Sequence, residues 1–113
     1  MLPKLARLTK DQDLYKVRRY GRQSSNAYIN IRALTTKSPK TRLGFIVSKK
    51  ISPQATTRNR LKRQLRAVIS KEYQQIKKNR DIIITAKPNI KKIPFNKITQ
   101  VIQEAMKRAS LLK

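Results

Sequence analysis

The sequence predicts an α+β fold, a sandwich in which helices pack on a mixed β-sheet. Apolar residues recur at helical spacing in three segments and alternate with polar ones in others, as they do in strands. A length of 113 residues suits one modest core, and 38% hydrophobic against 30% charged residues is a composition that can fold. We therefore expect a single domain over residues 1–113, with a basic arm at 1–9 and the last few residues frayed.

A first short helix is predicted in the segment TKDQDLYKVRRYG, which starts at Thr9. Thr9 or Asp11 can cap it, and acidic residues in a first turn are favoured by the helix dipole. Leu14 and Val17 are three residues apart and share one helix face. Gly21 suits the position just after the helix, where glycine readily adopts a left-handed conformation.

Two strands are predicted next, in NAYINIRAL (residues 26–34) and in residues 43–48. In both segments the apolar side chains alternate with a period of two. The first strand would carry Tyr28, Asn30 and Arg32 on its polar face. Because only a short loop separates the two strands, we expect them to be antiparallel neighbours.

The rest of the chain predicts a helix, a strand and a final helix. After the loop SPQATT, an apolar stripe at helical spacing comprises Leu61, Leu65, Val68, Ile69, Tyr73 and Ile76. DIIITA, residues 81–86, is an all-apolar run that suits a strand buried on both faces. After the connector PNIKKIP, a last stripe comprises Ile98, Val101, Ile102, Ala105 and Met106 and ends near Ala109.

The charge balance indicates a polyanionic partner. Lys and Arg number 29 against 5 Asp and Glu, which gives a formal net charge of +24. Nucleic acid is the first candidate partner and an anionic membrane face the second. No segment approaches the roughly 18 apolar residues of a membrane span, and basic residues interrupt the N-terminal leucines, unlike in a signal peptide. We expect a soluble, cytoplasmic protein.

Catalysis by the protein itself is not expected. The chain contains neither cysteine nor histidine, which excludes disulfides, Cys/His zinc sites and histidine-based catalysis. A metal-dependent nuclease needs clustered carboxylates, and those of this chain are scattered: Asp11, Asp13, Glu72, Asp81 and Glu104. Helix dipoles, solvent-facing positions and pairing of Asp81 with a lysine explain them. We expect no catalytic residue and no metal ligand here.

The strongest binding signal is a basic cluster where the second helix is predicted to begin. It comprises Arg58, Arg60, Lys62, Arg63 and Arg66, and at 100° per residue the last four fall on the flank and back of the apolar stripe. A helix start repels each cation by about 0.3–1 kcal/mol, but its amides attract phosphate. The cluster is therefore explained if a polyanion binds there, with Lys49 and Lys50 extending the patch. A merely solvated charged face is the alternative.

The polar face of the first strand is a second candidate. Tyr28, Asn30 and Arg32 offer a ring, an amide and a guanidinium, a set that suits the bases of an unpaired nucleic-acid strand. An ordinary solvent-facing surface, with Tyr28 partly covered by a helix, explains them as well. For Tyr15 and Tyr20 of the first helix we favour packing over stacking.

Several of these motifs together resemble the protein subunit of bacterial ribonuclease P. The residues that carry the resemblance are Arg42, Gly44 and Phe45, then Val47, Ser48, Lys49 and Lys50, then Arg58, Asn59, Arg60, Leu61, Lys62, Arg63 and Arg66. The Arg-Asn-Arg element is the most distinctive part. The order of elements and the terminal KRASLLK extend the resemblance over nearly the whole chain.

The resemblance implies an α-β-β-β-α-β-α fold with one more short strand and a left-handed βαβ crossover, against the usual right-handed rule. It implies a subunit of a ribozyme endonuclease that removes the 5′ leader of precursor tRNA. The partners would be the catalytic RNA and precursor tRNA, with no membrane and no required protein partner. Divalent metal (Mg) would be bound mainly by the RNA, and none by the protein alone.

The strand analysis and the resemblance together give two groups of site residues. The catalytic RNA would contact Lys49, Lys50, Arg58, Asn59, Arg60 and Arg63. The leader, in a cleft between the first helix and the sheet, would contact Leu14, Val17, Arg18, Tyr28, Asn30, Arg32, Lys62 and Arg66. Arg18, Asn30 and Arg32 stand where relatives commonly have aromatic or apolar residues, which implies a more polar cleft.

Two other classes of protein compete with this interpretation. A structural RNA-binding protein, such as a small ribosomal protein, would share the charge but would need no leader cleft. A self-sufficient metal-dependent nuclease conflicts with the scarcity of acidic residues.

Overall fold

A four-stranded sheet forms the centre of the computed structural model, which describes residues 7–113. The strands are β1 (Arg22–Ser25), β2 (Ile29–Thr35), β3 (Arg42–Ile46) and β4 (Arg80–Ala86), and the helices are α1 (Asp11–Tyr20), α2 (Ala55–Glu72) and α3 (Phe95–Arg108). The strand order is β1-β2-β4-β3, with β4 antiparallel to β2 and parallel to β3. The α+β class and the order α-β-β-β-α-β-α are confirmed.

The sheet separates two apolar cores because successive residues of a strand face opposite sides. In β4, Ile82 and Ile84 enter the larger core, whereas Ile83 enters a smaller one under α1. Side chains of α2 and α3 that complete the larger core are Leu61, Leu65, Val68, Ile69, Ile98, Val101, Ile102, Ala105 and Met106. Helix α1 therefore lies on one face of the sheet, and α2 and α3 lie on the other.

The expected pairing of β2 with β3 is wrong. Strand β4 lies between them and forms ladders with both. The three consecutive isoleucines of β4 can be buried on both faces of the sheet, so β4 suits an interior position. A strand with one polar face cannot be buried in this way. Helix α2 consequently connects the parallel neighbours β3 and β4 by a crossover, whose left-handed sense stays a prediction.

Strand β1 is the short strand that the resemblance implied and that the hydrophobic pattern missed. Its sequence, Arg-Gln-Ser-Ser, contains no apolar residue, and it pairs with β2 at the edge of the sheet. Polar side chains on an edge strand discourage pairing with other chains. Such a strand need not show the alternation of apolar and polar residues by which a half-buried strand is predicted.

The ends of α1 differ from the predicted ones. Lys10, not Thr9 or Asp11, is the N-cap residue, and its side chain makes no capping bond. Gly21 follows the helix with φ −73°, which is not left-handed. Glycine is required there for space, because a Cβ would lie 2.4 Å from the carbonyl oxygen of Val17.

Helix α2 begins earlier and ends earlier than its apolar stripe predicts. It starts at Ala55, before the basic cluster, and ends at Glu72. Tyr73 lies in a 3₁₀ turn and Ile76 in an isolated bridge, although both pack in the larger core. Arg58 closes the first turn of α2, which holds no acidic residue, and the dipole acts more weakly on the basic residues of the following turns.

Both chain ends pack more closely than expected where the structure describes them. Residues 1–6 of the predicted basic arm lie outside the described residues. Leu8 is buried, and its N–H donates to the carbonyl of Leu43 at 2.8 Å. At the other end Leu111 enters the larger core and Lys113 donates its N–H to a backbone carbonyl at 2.7 Å, while fraying of the last residues stays a prediction.

Arg42 of β3 joins three elements through its guanidinium. It donates to both carboxylate oxygens of Asp81 in β4, at 2.9 Å from Nε and 2.6 Å from Nη2, and from Nη1 to Asp13 of α1 at 3.1 Å. Asp81 is only 3% exposed, and its hydrogen bond with Arg42 raises the pKa of that guanidinium. The partner of Asp81 is thus an arginine rather than the expected lysine, because the planar fork fits both oxygens.

We expect Asp81→Asn to lower the free energy of unfolding by about 3 kcal/mol, because it removes one charge from a mostly buried pair. Glu104→Gln is the matched control: its carboxylate lies 3.8 Å from Arg108, both side chains are 60% exposed, and such pairs contribute about 1 kcal/mol or less. Urea unfolding at constant sulfate measures both. Equal effects would show that the Arg42 contact does not hold these elements together.

Candidate nucleic-acid interface

The N-terminus of α2 presents backbone amides that its N-cap residue does not cap. Gln54 precedes the helix without a side-chain capping bond, and the first turn contains no acidic residue. The loop is ordered by its own contacts, since the N–H of Gln54 donates to Oγ of Ser52 at 3.2 Å. Such an uncapped helix start, with the dipole behind it, is a suitable place for a phosphate.

Arg58 is turned toward the protein. Its Nη1 donates to the carbonyl oxygen of Ser52 at 2.9 Å, and the side chain is half-buried. Arg58 therefore fixes the loop between β3 and α2. A contact with nucleic acid, as predicted from the sequence, would have to use its remaining N–H groups.

The basic residues farther along α2 lie on two flanks of the helix rather than together. Arg60 and Lys62 are about 200° apart around the axis. Arg60 lines a cavity of about 420 Å³ between α2 and the segment that leads into α3, together with Lys91 and Phe95. Since Phe95 is exposed, this flank offers two cations beside an aromatic ring.

Lys62 and Arg66 define the other flank, beside the edge strand β3. The guanidinium carbon of Arg66 lies 6.0 Å from the centroid of the Phe45 ring, at the limit of a cation–π contact. Lys62, one turn earlier, is half-buried, and Arg66 is exposed. This flank therefore places two cations along the edge of the sheet.

The remaining predicted contacts lie at the same end of the molecule. Asn59 and Arg63 are exposed on α2, and Lys49 and Lys50 are exposed in the turn after β3, which the buried Ile51 anchors. We refer to the following residues as the α2 surface: Lys49, Lys50, Asn59, Arg60, Lys62, Arg63 and Arg66.

The predicted cleft residues of α1 have different environments. Val17 is fully buried in the smaller core and Leu14 packs against that core, so both hold α1 on the sheet. Val17 has no surface left with which to contact a leader, which does not fit its predicted role. Arg18 is exposed, and its carbonyl oxygen accepts a hydrogen bond from Nη1 of Arg32 at 2.8 Å.

The polar face of β2 does not hold all three predicted side chains. Strand β2 begins at Ile29, and Tyr28 lies before it in a turn whose N–H groups donate to Oδ1 of Asn26. Tyr28 packs against the larger core, on the face away from α1, which agrees with the part of the alternative in which this ring is partly covered. Arg32 does lie beside α1, where its Nη2 also donates to Gln23 at 2.8 Å.

Asn30 leaves an acceptor unused beside α1. Its Oδ1 is buried and has no donor in the part of the chain that the structure describes. Its neighbours across the ladders are Ser25 and Thr85, so three polar side chains form a row across the sheet. A buried acceptor of this kind is normally satisfied by water or a ligand.

Three exposed aromatic side chains were not identified as site residues from the sequence. Tyr15 and Tyr20, predicted to pack, are exposed on α1, with the guanidinium of Arg19 5.7 Å from the Tyr20 ring. Phe95 is exposed at the start of α3. A signal existed for Tyr15, which is about 200° around the helix from Val17 and so cannot share its buried face.

Four of the five acidic side chains engage in contacts within the protein, and Asp11 is exposed at the start of α1. Asp13 and Asp81 share Arg42, and the two glutamates lie beside Arg108 and Gln103. Among residues 7–113 no three acidic side chains come together as metal ligands would. These carboxylates do not fit a site for Mg²⁺, which prefers several oxygen ligands around one ion.

A cationic helix beside a polar sheet face, in a small α+β domain, has the features of a nucleic-acid-binding protein. Among its described helices, none is long and apolar enough to cross a membrane. A sequence model of the Ribonuclease P family matches residues 2–110. The chain belongs to this family and is a protein component of that tRNA-processing endonuclease.

Relatives and solved structures agree with this assignment. The ribonuclease P protein component of Pseudanabaena sp. (strain PCC 6903) is 33% identical over 113 residues, covering 99% of this chain and 97% of its own. That of Syntrophomonas wolfei is 37% identical over 112 residues, covering 98% and 92%. The structure of Staphylococcus aureus RNase P protein matches with a TM-score of 0.89 at 26% identity, covering 96% of this chain and 98% of its own. The Thermotoga maritima RNase P protein, at 24% identity, a TM-score of 0.81 and coverage of 90% and 96%, supports the fold alone.

We expect sulfate to stabilise the protein by binding at the α2 surface. Once sulfate exceeds its dissociation constant, each tenfold increase adds about 1.4 kcal/mol per site. Arg60→Gln/Arg63→Gln should reduce this dependence more than Lys71→Gln/Lys107→Gln, which removes the same charge from other exposed positions. Urea unfolding with sodium chloride balancing the ionic strength is the measurement. Identical sulfate dependence in both double variants would mean that sulfate only screens the net charge.

Proposed function

We propose that this chain binds the catalytic RNA of ribonuclease P and the 5′ leader of precursor tRNA, and that the RNA carries out the cleavage. The observation that carries the proposal is the difference between the surroundings of the acidic side chains and those of the basic side chains. Asp13 of α1 and Asp81 of β4 are engaged by Arg42, whereas the cations of the α2 surface are exposed except for the half-buried Lys62. Phosphodiester hydrolysis needs metal ions or an acid/base pair; the sequence has no histidine, and residues 7–113 contain no cluster of three acids.

The catalytic RNA would dock where α2 begins. Arg60 and Arg63 lie just beyond the uncapped amides, and Lys49 and Lys50 lie in the turn before them. A phosphate there would accept from backbone N–H groups and from a guanidinium at once, which is the stronger, charge-assisted kind of contact. Phe95, exposed beside Arg60, offers a ring on which an unpaired base can stack.

The leader would follow the opposite flank and continue onto the face of α1. Lys62 and Arg66 would hold its phosphates at the edge of β3. Beside α1, the unused acceptor of Asn30 and the exposed Arg18 favour hydrogen bonding to bases over stacking. Arg32, whose donors reach α1 and β1, would act mainly by positioning the two walls of this cleft.

Divalent metal, Mg²⁺ in this proposal, would be bound by the RNA and not by the protein. Such an ion activates water and stabilises the leaving oxygen. The residues of this chain would only place RNA and substrate relative to each other. We further propose that it acts in the cytoplasm, without a membrane and without another protein partner.

We expect no cleavage of precursor tRNA by the protein alone and efficient cleavage by protein and catalytic RNA together. Asp11→Asn and Glu72→Gln should leave single-turnover cleavage by the assembled enzyme essentially unchanged, because neither carboxylate lies in a cluster. A loss of about a hundredfold or more, the usual contribution of an acid/base residue, with unchanged assembly would contradict the proposal. RNA alone is the reference reaction.

We expect the two flanks of α2 to differ in function. Arg60→Ala should weaken assembly with the catalytic RNA, whereas Lys62→Ala/Arg66→Ala should mainly weaken binding of precursor tRNA, because mature tRNA lacks the leader. Each well-formed charged contact contributes about 1.5–3 kcal/mol, and solvent screening reduces this. Lys71→Ala, an exposed lysine of the same helix, is the control.

The measurement is the affinity of the preassembled enzyme for precursor and mature tRNA, with leaders of increasing length. If Lys62→Ala/Arg66→Ala weakens both tRNAs equally, these side chains are general phosphate contacts and their assignment to the leader is wrong.

A further inference from the structure

A second basic cavity lies away from the α2 surface, beyond the C-terminus of α3. Its volume is about 420 Å³, and it opens on the sheet face that α2 and α3 cover. Four cationic side chains from four segments line it: Arg22, Lys77, Arg80 and Arg108. No acidic residue is among its lining residues. We call it the β1–α3 cavity.

The strand register places this cavity and the α2 surface at opposite ends of the sheet. Arg80 pairs with Thr35 at the end of β2. Ile46, the last residue of β3 before the loop to α2, pairs with Thr85, which in turn pairs with Asn30 near the start of β2. The steps from Asn30 to Thr35 correspond to about 17 Å at roughly 3.3 Å per residue. A small anion cannot contact both places, whereas a large RNA can.

The acidic residues of the protein do not neutralise the cations of the β1–α3 cavity. Arg108 has one weak surface partner, Glu104, at 3.8 Å. The Nη1 of Arg80 donates to a neighbouring backbone carbonyl at 2.7 Å, which uses one of its five N–H groups. In the described part of the chain, neither Arg22 nor Lys77 has a carboxylate partner.

The end of α3 does not account for these cations either. A helix C-terminus attracts cations through its last carbonyls, but three of these accept N–H groups from residues 109–111. Ser110, with a left-handed φ of 58°, completes that turn. Arg22 and Arg80, moreover, lie on strands.

We propose that the β1–α3 cavity binds a phosphate group of the RNA backbone, so that one RNA contacts both ends of the protein. Its lining combines guanidinium groups with the hydroxyls of Ser24, Thr35 and Ser110, the donors that proteins use for backbone phosphates. A free phosphate in this open cavity would stay hydrated and bind weakly. A phosphate of an RNA already held at the α2 surface is presented at high effective concentration. The inference rests on the proposed function for the identity of this RNA.

The test is the affinity of the full chain for the catalytic RNA as a function of salt. Arg22→Gln/Arg80→Gln should weaken binding about tenfold more than the charge-matched control Lys71→Gln/Lys107→Gln, and should lower the slope of log affinity against log salt by about 1.5. Circular dichroism and urea unfolding check that both double variants are folded. Equal losses in the two would overturn the proposal.

A second measurement does not depend on removing charge. Because the chain has no cysteine, Ser24→Cys provides a unique attachment point for a photo-crosslinker inside the cavity. In the assembled complex it should crosslink to a defined position of the RNA, and Gln74→Cys, exposed and outside both basic regions, should not. Absence of a crosslink from Ser24→Cys, with assembly intact, would overturn the proposal.

Inorganic phosphate distinguishes an RNA phosphate from a small anion. If Arg22→Gln/Arg80→Gln loses stabilisation by inorganic phosphate but binds RNA like the control, the cavity is a small-anion site and the RNA assignment is wrong. If the wild-type chain does not bind the catalytic RNA, the proposed function fails. If it binds, and substitutions on α2 weaken assembly but those in the cavity do not, this inference alone fails.

Discussion

The guanidinium of Arg42 is the contact on which the arrangement of the three layers depends. From β3 it holds Asp81 at the start of the central strand and Asp13 of the helix that covers the other face. Among residues 7–113, the smaller core under α1 contains fewer side chains than the larger one, so within this part of the chain α1 relies on the ion pair more than α2 and α3 rely on any polar contact. The position of α1 in turn forms one wall of the cleft that contains Asn30. The same contact engages two of the five acidic residues and leaves the rest of the surface basic.

Local periodicity predicted every helix and strand except the polar strand β1, and contacts distant in sequence decided how the strands pair. The stripe of α3 is present, and along β3 Leu43 and Phe45 face the larger core whereas Ile46 faces the smaller one, as the alternation predicts. Nothing near β2 or β3 in sequence indicates that β4 will separate them, although its all-apolar run already required burial on both faces. At the site, helix periodicity separates Arg60 from Lys62 and Arg66, but only the packing of α2 shows that one flank faces the segment before α3 and the other faces β3. It also could not distinguish Val17, beneath a cleft, or Tyr28, behind the sheet, from side chains that line the cleft.

The motif that carried the family resemblance combines separate physical roles in one short strand. Arg42 forms the central ion pair. Gly44 leaves room for the segment before α1 to lie close to β3, because a Cβ on Gly44 would lie 3.1 Å from the carbonyl oxygen of Leu8. Phe45 lies under Arg66 and so links the edge of the sheet to the basic helix. Adjacent positions therefore serve both stability and the interface, which is why such a motif identifies the family better than the net charge does.

Folding and assembly are coupled through the net charge. A charge of +24 within a body 36 Å long repels itself, and the isolated chain has few acids with which to reduce that repulsion. A polyanion that binds only the native state stabilises it by about 2.7 kcal/mol at a hundredfold excess over its dissociation constant. This is a large part of the roughly 5–15 kcal/mol that holds a domain folded. Added acids on the α2 surface would make the free protein more stable but would neutralise the cations that the RNA needs. Asp13, Asp81 and Glu72 instead join elements, and none of the five acids lies on the α2 surface, so the surface that destabilises the free chain is the one that stabilises the complex.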